Sequence, residues 1–253
     1  MVLGVRWPVR LAVAIAVAVV APRSAHAHVS ASVDDNNRYL KLEPSADRIR
    51  LAYTIFYGEV PGAATRPSID TNRDGSLDAA EASAFATNLA SQVTDGLAIT
   101  LDGEAVHVEW AEVAAGMGSP SVAAGSFSID LVAYFCFTRV GGRHTFVMRD
   151  AVKLTRPGET EVHVVDATGI EVDHARIGPA QDASNDLRFA GAVPGLAEGG
   201  LDLAFTAGPA ALDTHEPRCA DAHHAPVPMA LIVALAAGLA VVVTTIVVLR
   251  KRS

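Results

Sequence analysis

Apolar and polar residues alternate through most of the middle of the chain. Ile49, Leu51, Tyr53, Ile55 and Tyr57 stand two apart, with Arg48, Arg50 and Thr54 between them. Side chains of a strand point to alternate faces, so this pattern predicts a strand with one buried face. Phe127, Ile129, Leu131, Ala133, Phe135 and Phe137 repeat the pattern in the clearest strand of the chain. Shorter stretches of the same kind run over 39–42, 98–101, 105–113, 144–148, 161–165, 187–189 and 201–205. Asp102-Gly103 between two of them is a hairpin signal, because these residue types tolerate the positive φ of a tight turn. Gly141-Gly142 plays the same part after Phe137. Many short strands with Gly-containing turns predict a mainly β fold, an antiparallel β-sandwich of the immunoglobulin-like kind.

One helical pattern interrupts the strands. Between Asp78 and Asp95, residues Ala82, Phe85, Leu89 and Val93 recur at spacings of three and four, which places them on one helix face. Asp95-Gly96 supplies a stop. The helix over 78–95 lies between strands and is read as an insertion in the sheet fold.

The two ends carry a different pattern. Arg6 and Arg10 precede an unbroken apolar run from Leu11 to Ala21, and small residues follow at Ala25 and Ala27. This predicts a signal peptide over 1–27, with the mature chain starting at His28. Residues 227–249 carry no charge. At about 1.5 Å per residue they are long enough to cross a bilayer as a helix. Arg250-Lys251-Arg252 follows at once, which puts the tail 250–253 in the cytoplasm and everything before residue 227 outside. Residues 208–226, punctuated by Pro209, Pro217 and Pro226, read as a tether. The expected protein is therefore a single-pass membrane protein of the cell envelope, with an extracytoplasmic domain over 28–207.

Six of the 20 basic residues and none of the 28 acidic ones fall in those two ends. What remains outside is strongly acidic, a surface that attracts cations and repels nucleic acid and anionic lipid. No basic patch with interleaved aromatics is present, so no nucleic-acid partner is expected.

The chemistry concentrates in Asp70-Thr-Asn72-Arg-Asp74-Gly75-Ser76-Leu77-Asp78-Ala-Ala-Glu81. It matches the twelve-residue EF-hand calcium loop at every defining position. Calcium is a hard cation that takes six to eight oxygens. Asp70, Asn72 and Asp74 offer side-chain oxygens, Ser76 its backbone carbonyl, Asp78 a water-mediated contact and Glu81 a two-oxygen closing ligand. Gly75 permits the sharp turn between the two halves, and Leu77 pins the loop to the fold. Asp78-x-x-Glu81 is also a capping box, but a helix start does not account for Asp70, Asn72, Asp74 and Gly75 at their spacings. Pro67 before the loop predicts a truncated leading helix. No second loop of this pattern occurs, since 182–186 lacks the glycine and the closing Glu. A lone loop of this kind predicts a structural site with a dissociation constant on the order of 10⁻⁴–10⁻³ M.

The run Tyr53-Thr-Ile-Phe-Tyr57-Gly-Glu59-Val60-Pro61, the loop from Ile69, the Ala-rich helix and Leu101-Asp-Gly103 resemble an extracytoplasmic region of bacterial nickel/cobalt permease-like proteins. Gly142-Arg-His-Thr-Phe-Val-Met-Arg149-Asp150 resembles a later strand of the same module, and the likeness covers about residues 38–150. It implies Asp70, Asn72, Asp74, Ser76, Asp78 and Glu81 as ligands, and a place near metal uptake with a metal permease or another envelope protein as partner. Those permeases have several membrane spans, and this chain has one expected span, so transport itself does not carry over.

Two further groups bear on metals. Cys136 and Cys219 are the only cysteines; in an exported chain they form a disulfide or remain separate thiols. His28 at the mature N-terminus, or His215, Cys219, His223 and His224 in the tether, offer ligands for a softer ion. That makes an accessory role in nickel, cobalt or copper handling the alternative to calcium binding. No nucleophile elbow, phosphate loop or zinc-protease motif occurs, and no enzymatic activity is expected.

Overall fold

The computed structural model describes residues 33–178, 186–190, 194–208, 211 and 219. The expected signal peptide, the membrane-spanning segment, the basic tail, most of the tether and His28, His215, His223 and His224 lie outside the described residues. Among those described, no helix is long and apolar enough to cross a membrane.

The described residues form two sheets. Strands β1 (Asn36–Pro44), β2 (Arg48–Tyr57), β5 (Trp110–Gly116), β6 (Phe127–Cys136), β8 (Pro157–Val164) and β10 (Asp186–Ala190) make the first, in the order β10-β8-β1-β2-β6-β5. Strands β3 (Leu97–Leu101), β4 (Glu104–Val106), β7 (Gly142–Asp150), β9 (Ile170–Ile177) and β11 (Leu201–Ala207) make the second, in the order β4-β3-β7-β11-β9. Helices α1 (Glu59–Ile69) and α2 (Ala79–Gly96) lie between β2 and β3, and a short α3 (Pro194–Glu198) precedes β11.

The sheets bury their alternating faces against each other. Ile49, Leu51, Tyr53 and Ile55 of β2 and Ile129, Leu131, Ala133 and Phe135 of β6 are buried, as the period-two pattern requires. Each of the larger side chains among them contributes about 1.5–3 kcal/mol by leaving water. Phe135 of the first sheet meets Phe146 of the second at 5.8 Å between ring centroids, and Phe137 meets Phe205 at the same distance. The fold is a mainly β two-sheet sandwich.

It is not wholly antiparallel. β1 pairs antiparallel with β2 on one side and parallel with β8 on the other, Leu40 opposite Val162. A strand joined to its neighbour by a tight turn must run antiparallel to it. β8 instead reaches β1 after the chain has passed through β7 in the other sheet, so its direction is free. Two turn readings also change. Residues 105–113 are not one strand: β4 pairs with β3 and β5 with β6, so residues 107–109 carry the chain from one sheet to the other. Gly141 and Gly142 do have positive φ, 70° and 89°, but they join strands of different sheets rather than a hairpin. The Asp102-Gly103 hairpin forms as its sequence predicts, with φ 48° and 87° and Leu101 opposite Glu104.

Cys136 and Cys219 are joined in a disulfide, with Cα atoms 5.5 Å apart. The stretch expected to be a loose tether is held to the sandwich at its described positions. Ala46 donates its N–H to the Ala211 carbonyl at 3.1 Å, and Ala211 and Cys219 are both buried.

Candidate metal centre

The twelve-residue loop connects α1 to α2, and α1 is a complete helix rather than the truncated one that Pro67 predicts. The reason lies in where its prolines fall. Pro61 is in the first turn, where backbone N–H groups have no helical acceptor in any case. Pro67 is in the last turn, so its missing N–H removes one bond near the end, and the helix closes normally with Asp70 N–H on the Arg66 carbonyl at 3.2 Å. Packing sustains the helix, because Pro61, Gly62, Arg66 and Ile69 are all buried.

The loop is organised by its own side chains. Asp70 Oδ1 accepts from the Asp74 N–H at 3.2 Å and Oδ2 from the Gly75 N–H at 3.0 Å. Asn72 Oδ1 accepts from the Asp74 N–H at 2.8 Å, and Asp74 Oδ1 from the Ser76 N–H at 2.8 Å. These successive side-chain turns coil the first half of the loop. Arg73 and Gly75 take positive φ, 61° and 85°, and reverse the chain; nothing stands within 4 Å of a Cβ built on Gly75, so the glycine serves conformation rather than space.

Asp78 opens α2 as its N-cap, accepting from the N–H groups of Ala80 and Glu81 at 2.8 Å each, and Glu81 Oε2 accepts from the Asp78 N–H at 3.2 Å. The capping box is therefore real. Glu81 also reaches back to the start of the loop. Its Oε1 accepts from Thr71 N–H at 2.7 Å, Thr71 hydroxyl at 2.9 Å and Asn72 N–H at 3.2 Å. The bonds from Asn72 and Asp78 hold its carboxyl below the usual glutamate range. Leu77, 6 % exposed, enters the core.

α2 fixes the second half of the loop. Phe85 packs edge-on to Tyr57 and Phe127, and those two rings stack at 4.4 Å. Farther along, Trp110 Nε1 of β5 donates to Thr94 Oγ1 at 2.8 Å. Asp70, Asn72, Asp74, Ser76, Asp78 and Glu81 thus share one closed loop between two packed helices.

Among the described residues no three His, Cys, Asp or Glu side chains converge closely enough to hold a metal. The loop's carboxylates accept hydrogen bonds from the loop's own N–H groups. The donor set nonetheless fits a hard cation: four carboxylates (Asp70, Asp74, Asp78, Glu81), the Asn72 amide oxygen and the Ser76 carbonyl, with no nitrogen or sulfur ligand.

Sequence reasoning missed Arg66 and the segment from Met117 to Ser126. Ser76 and Ser121 form an antiparallel bridge: Leu77 donates its N–H to the Pro120 carbonyl at 2.7 Å, and Val122 donates its N–H to the Gly75 carbonyl at 3.1 Å. A segment of small residues has no periodicity to announce a pairing, so nothing in its sequence marks it as the loop's neighbour.

No family model matches the chain, and no curated protein matches it.

Proposed function

We propose that this protein binds one calcium ion through the loop from Asp70 to Glu81, in a membrane-anchored extracytoplasmic domain that serves as a binding or interaction module. The observation that carries the reading is the double closure of the loop. Asp70 at its first position gathers the amides of Asp74 and Gly75, and Glu81 at its last reaches back to Thr71 and Asn72. A loop closed by its first and last carboxylates keeps its oxygen donors within one short turn of chain, and binding would draw them from the loop's own N–H groups onto one ion, in keeping with calcium's preference for many oxygens.

The disulfide supports the location. Such bonds persist outside the reducing cytoplasm, in keeping with a signal peptide and an outward-facing domain. It also weakens the transition-metal alternative, because a disulfide sulfur of Cys219 is not the thiolate that a soft ion takes. The division of strands on either side of the loop between two packed sheets is in keeping with the immunoglobulin-like form. A metal permease or another envelope protein is the partner this reading carries forward.

The test is calorimetric calcium titration of the purified full-length chain in detergent, beside Glu81→Ala. One saturable site that the substitution removes is the expected result. No heat at any calcium concentration, or heat unchanged by Glu81→Ala, overturns the proposal.

A further inference from the structure

Arg66 is the largest fully buried side chain of the described structure. Its guanidinium carries five N–H donors in a fixed plane, and five backbone carbonyls receive them. Nε donates to Gly125 at 2.9 Å. Nη1 donates to Ser119 at 2.8 Å and Ser121 at 3.1 Å. Nη2 donates to Met117 at 2.5 Å and Ser126 at 3.2 Å. The cation also lies 5.4 Å from the centroid of the Phe127 ring. One side chain from α1 therefore gathers the whole connection between β5 and β6 around itself. Lysine, with three donors on a single nitrogen, could not saturate that set.

The same segment touches the calcium loop directly, through the Leu77–Pro120 and Val122–Gly75 hydrogen bonds. Gly75 is the loop's turning residue, and Leu77 is its eighth position. In paired calcium loops the eighth-position residues bridge one loop to the next. Here the bridging residues come from a segment with no calcium pattern. Arg66 stands at both joints, because its carbonyl receives the Asp70 N–H while its side chain holds the partner segment.

The geometry points to Arg66 as a positioning residue for the calcium loop, and to residues 117–126 as the structural partner that stands in for a second loop. The inference rests on the calcium reading above. Binding at the loop and order in the 117–126 segment are then linked reciprocally through the two bridge bonds, since whatever calcium does for the segment, the segment does for calcium. It also removes both reasons for expecting a weak site: the leading helix is complete, and the loop is paired.

The experiment uses the full-length chain in detergent, as wild type, Arg66→Lys, Arg66→Met and Val122→Pro, the last removing one bridge donor while leaving Arg66 in place. Calcium affinity is read by calorimetry and the Leu77 and Val122 amides by hydrogen exchange, with strand content checked by circular dichroism. Arg66→Lys and Val122→Pro are expected to weaken calcium binding about tenfold although every ligand remains, and calcium is expected to slow exchange at Val122 as well as at Leu77 in the wild type. If folded Arg66→Lys and Val122→Pro bind calcium as the wild type does, or calcium protects residues 70–81 and leaves Val122 unchanged, the inference is wrong. Should the wild type bind no calcium, the calcium reading fails alone. Arg66 then stands or falls on the ion-free samples: joint acceleration of Leu77 and Val122 exchange in Arg66→Lys supports its positioning role, and unchanged exchange ends it. Arg66→Met leaves five carbonyls without donors; if it does not fold, Arg66→Lys and Val122→Pro decide.

Discussion

The Tyr53 hydroxyl donates to Asp150 Oδ2 at 2.9 Å, from the first sheet to the second, with both side chains buried. Arg38 completes the group. Its Nη1 meets the same carboxylate oxygen at 2.9 Å, and its Nη2 donates to the Val152 carbonyl at 2.8 Å. Burial raises the Tyr53 phenol well above its usual range, which keeps it a donor. Tyr53→Phe removes one hydrogen bond to a charged acceptor and leaves Arg38 in place. A loss of about 1.5–3 kcal/mol is expected from urea unfolding; an unchanged midpoint would mean that the bond adds nothing.

Arg38→Met should make stability more strongly dependent on pH. Burial raises the Asp150 carboxyl, and the Arg38 charge opposes that rise. Without Arg38 the folded-state value climbs further. A raised value favours the folded state below the unfolded-state value, and that advantage is lost as pH rises through the folded one. The deficit of the variant is therefore largest near neutral pH, about 3–5 kcal/mol, and shrinks toward acid. Urea midpoints measured across that range check the sign; a deficit that grows toward acid contradicts it.

Glu81 carries the opposite sign. Its carboxyl is held low by the Asn72 and Asp78 N–H groups, so its bonds stabilise the fold above the unfolded-state value and are lost as pH falls through the folded one. The Glu81 side-chain carbon resonance should titrate below the usual glutamate range in calcium-free protein. Titration at or above that range would show that Glu81 does not close the loop in solution.

Two glycines separate strain from space. A Cβ on Gly103 would meet nothing within 4 Å, but its φ is 87°, so Gly103→Ala should cost about 1 kcal/mol by backbone conformation alone. Gly62 is helical, where alanine is ordinarily favoured, yet its Cβ would collide with the Gly125 carbonyl that Arg66 holds. Gly62→Ala is thus expected to destabilise despite helix propensity and to weaken calcium binding, whereas Gly103→Ala leaves calcium affinity unchanged. Equal calcium affinities in the two variants would break the proposed link.

Loss of the Cys136–Cys219 bond frees a long loop, since the partners are 83 residues apart. A cost of about 4.5 kcal/mol follows from closure entropy at that length. Thermal unfolding of Cys136→Ser and Cys219→Ser tests it, and a midpoint equal to that of the wild type would refute it.

The strongly alternating strands and the loop's twelve positions were legible because each is a local pattern. β9 was not, for a physical reason. Ile170 and Val172 share one parity while Ala175 and Ile177 share the other, because the register with β11 shifts between Ala204 and Phe205. An extra residue in a strand hides a period of two. The completeness of α1 is hidden in the sequence because Pro67 costs a helical bond, and only its place in the last turn makes that cost small. The parallel pairing of β8 and the contacts of Arg66 depend on segments far apart in sequence, and no local pattern reports them. A charged residue reads as a surface residue until its five acceptors are seen.

The disulfide also decides where mechanical load enters the domain. The Cys136 end of β6 lies opposite Arg48 of β2, and the calcium loop follows the other end of β2, past Tyr57. Ten residues of strand, about 30 Å, separate the two ends. Tension on the chain beyond Cys219 passes through a covalent bond into an interior strand, so it cannot peel β11 from its neighbours starting at Ala207. The calcium loop follows the far end of β2, so load entering at Cys136 meets the loop last.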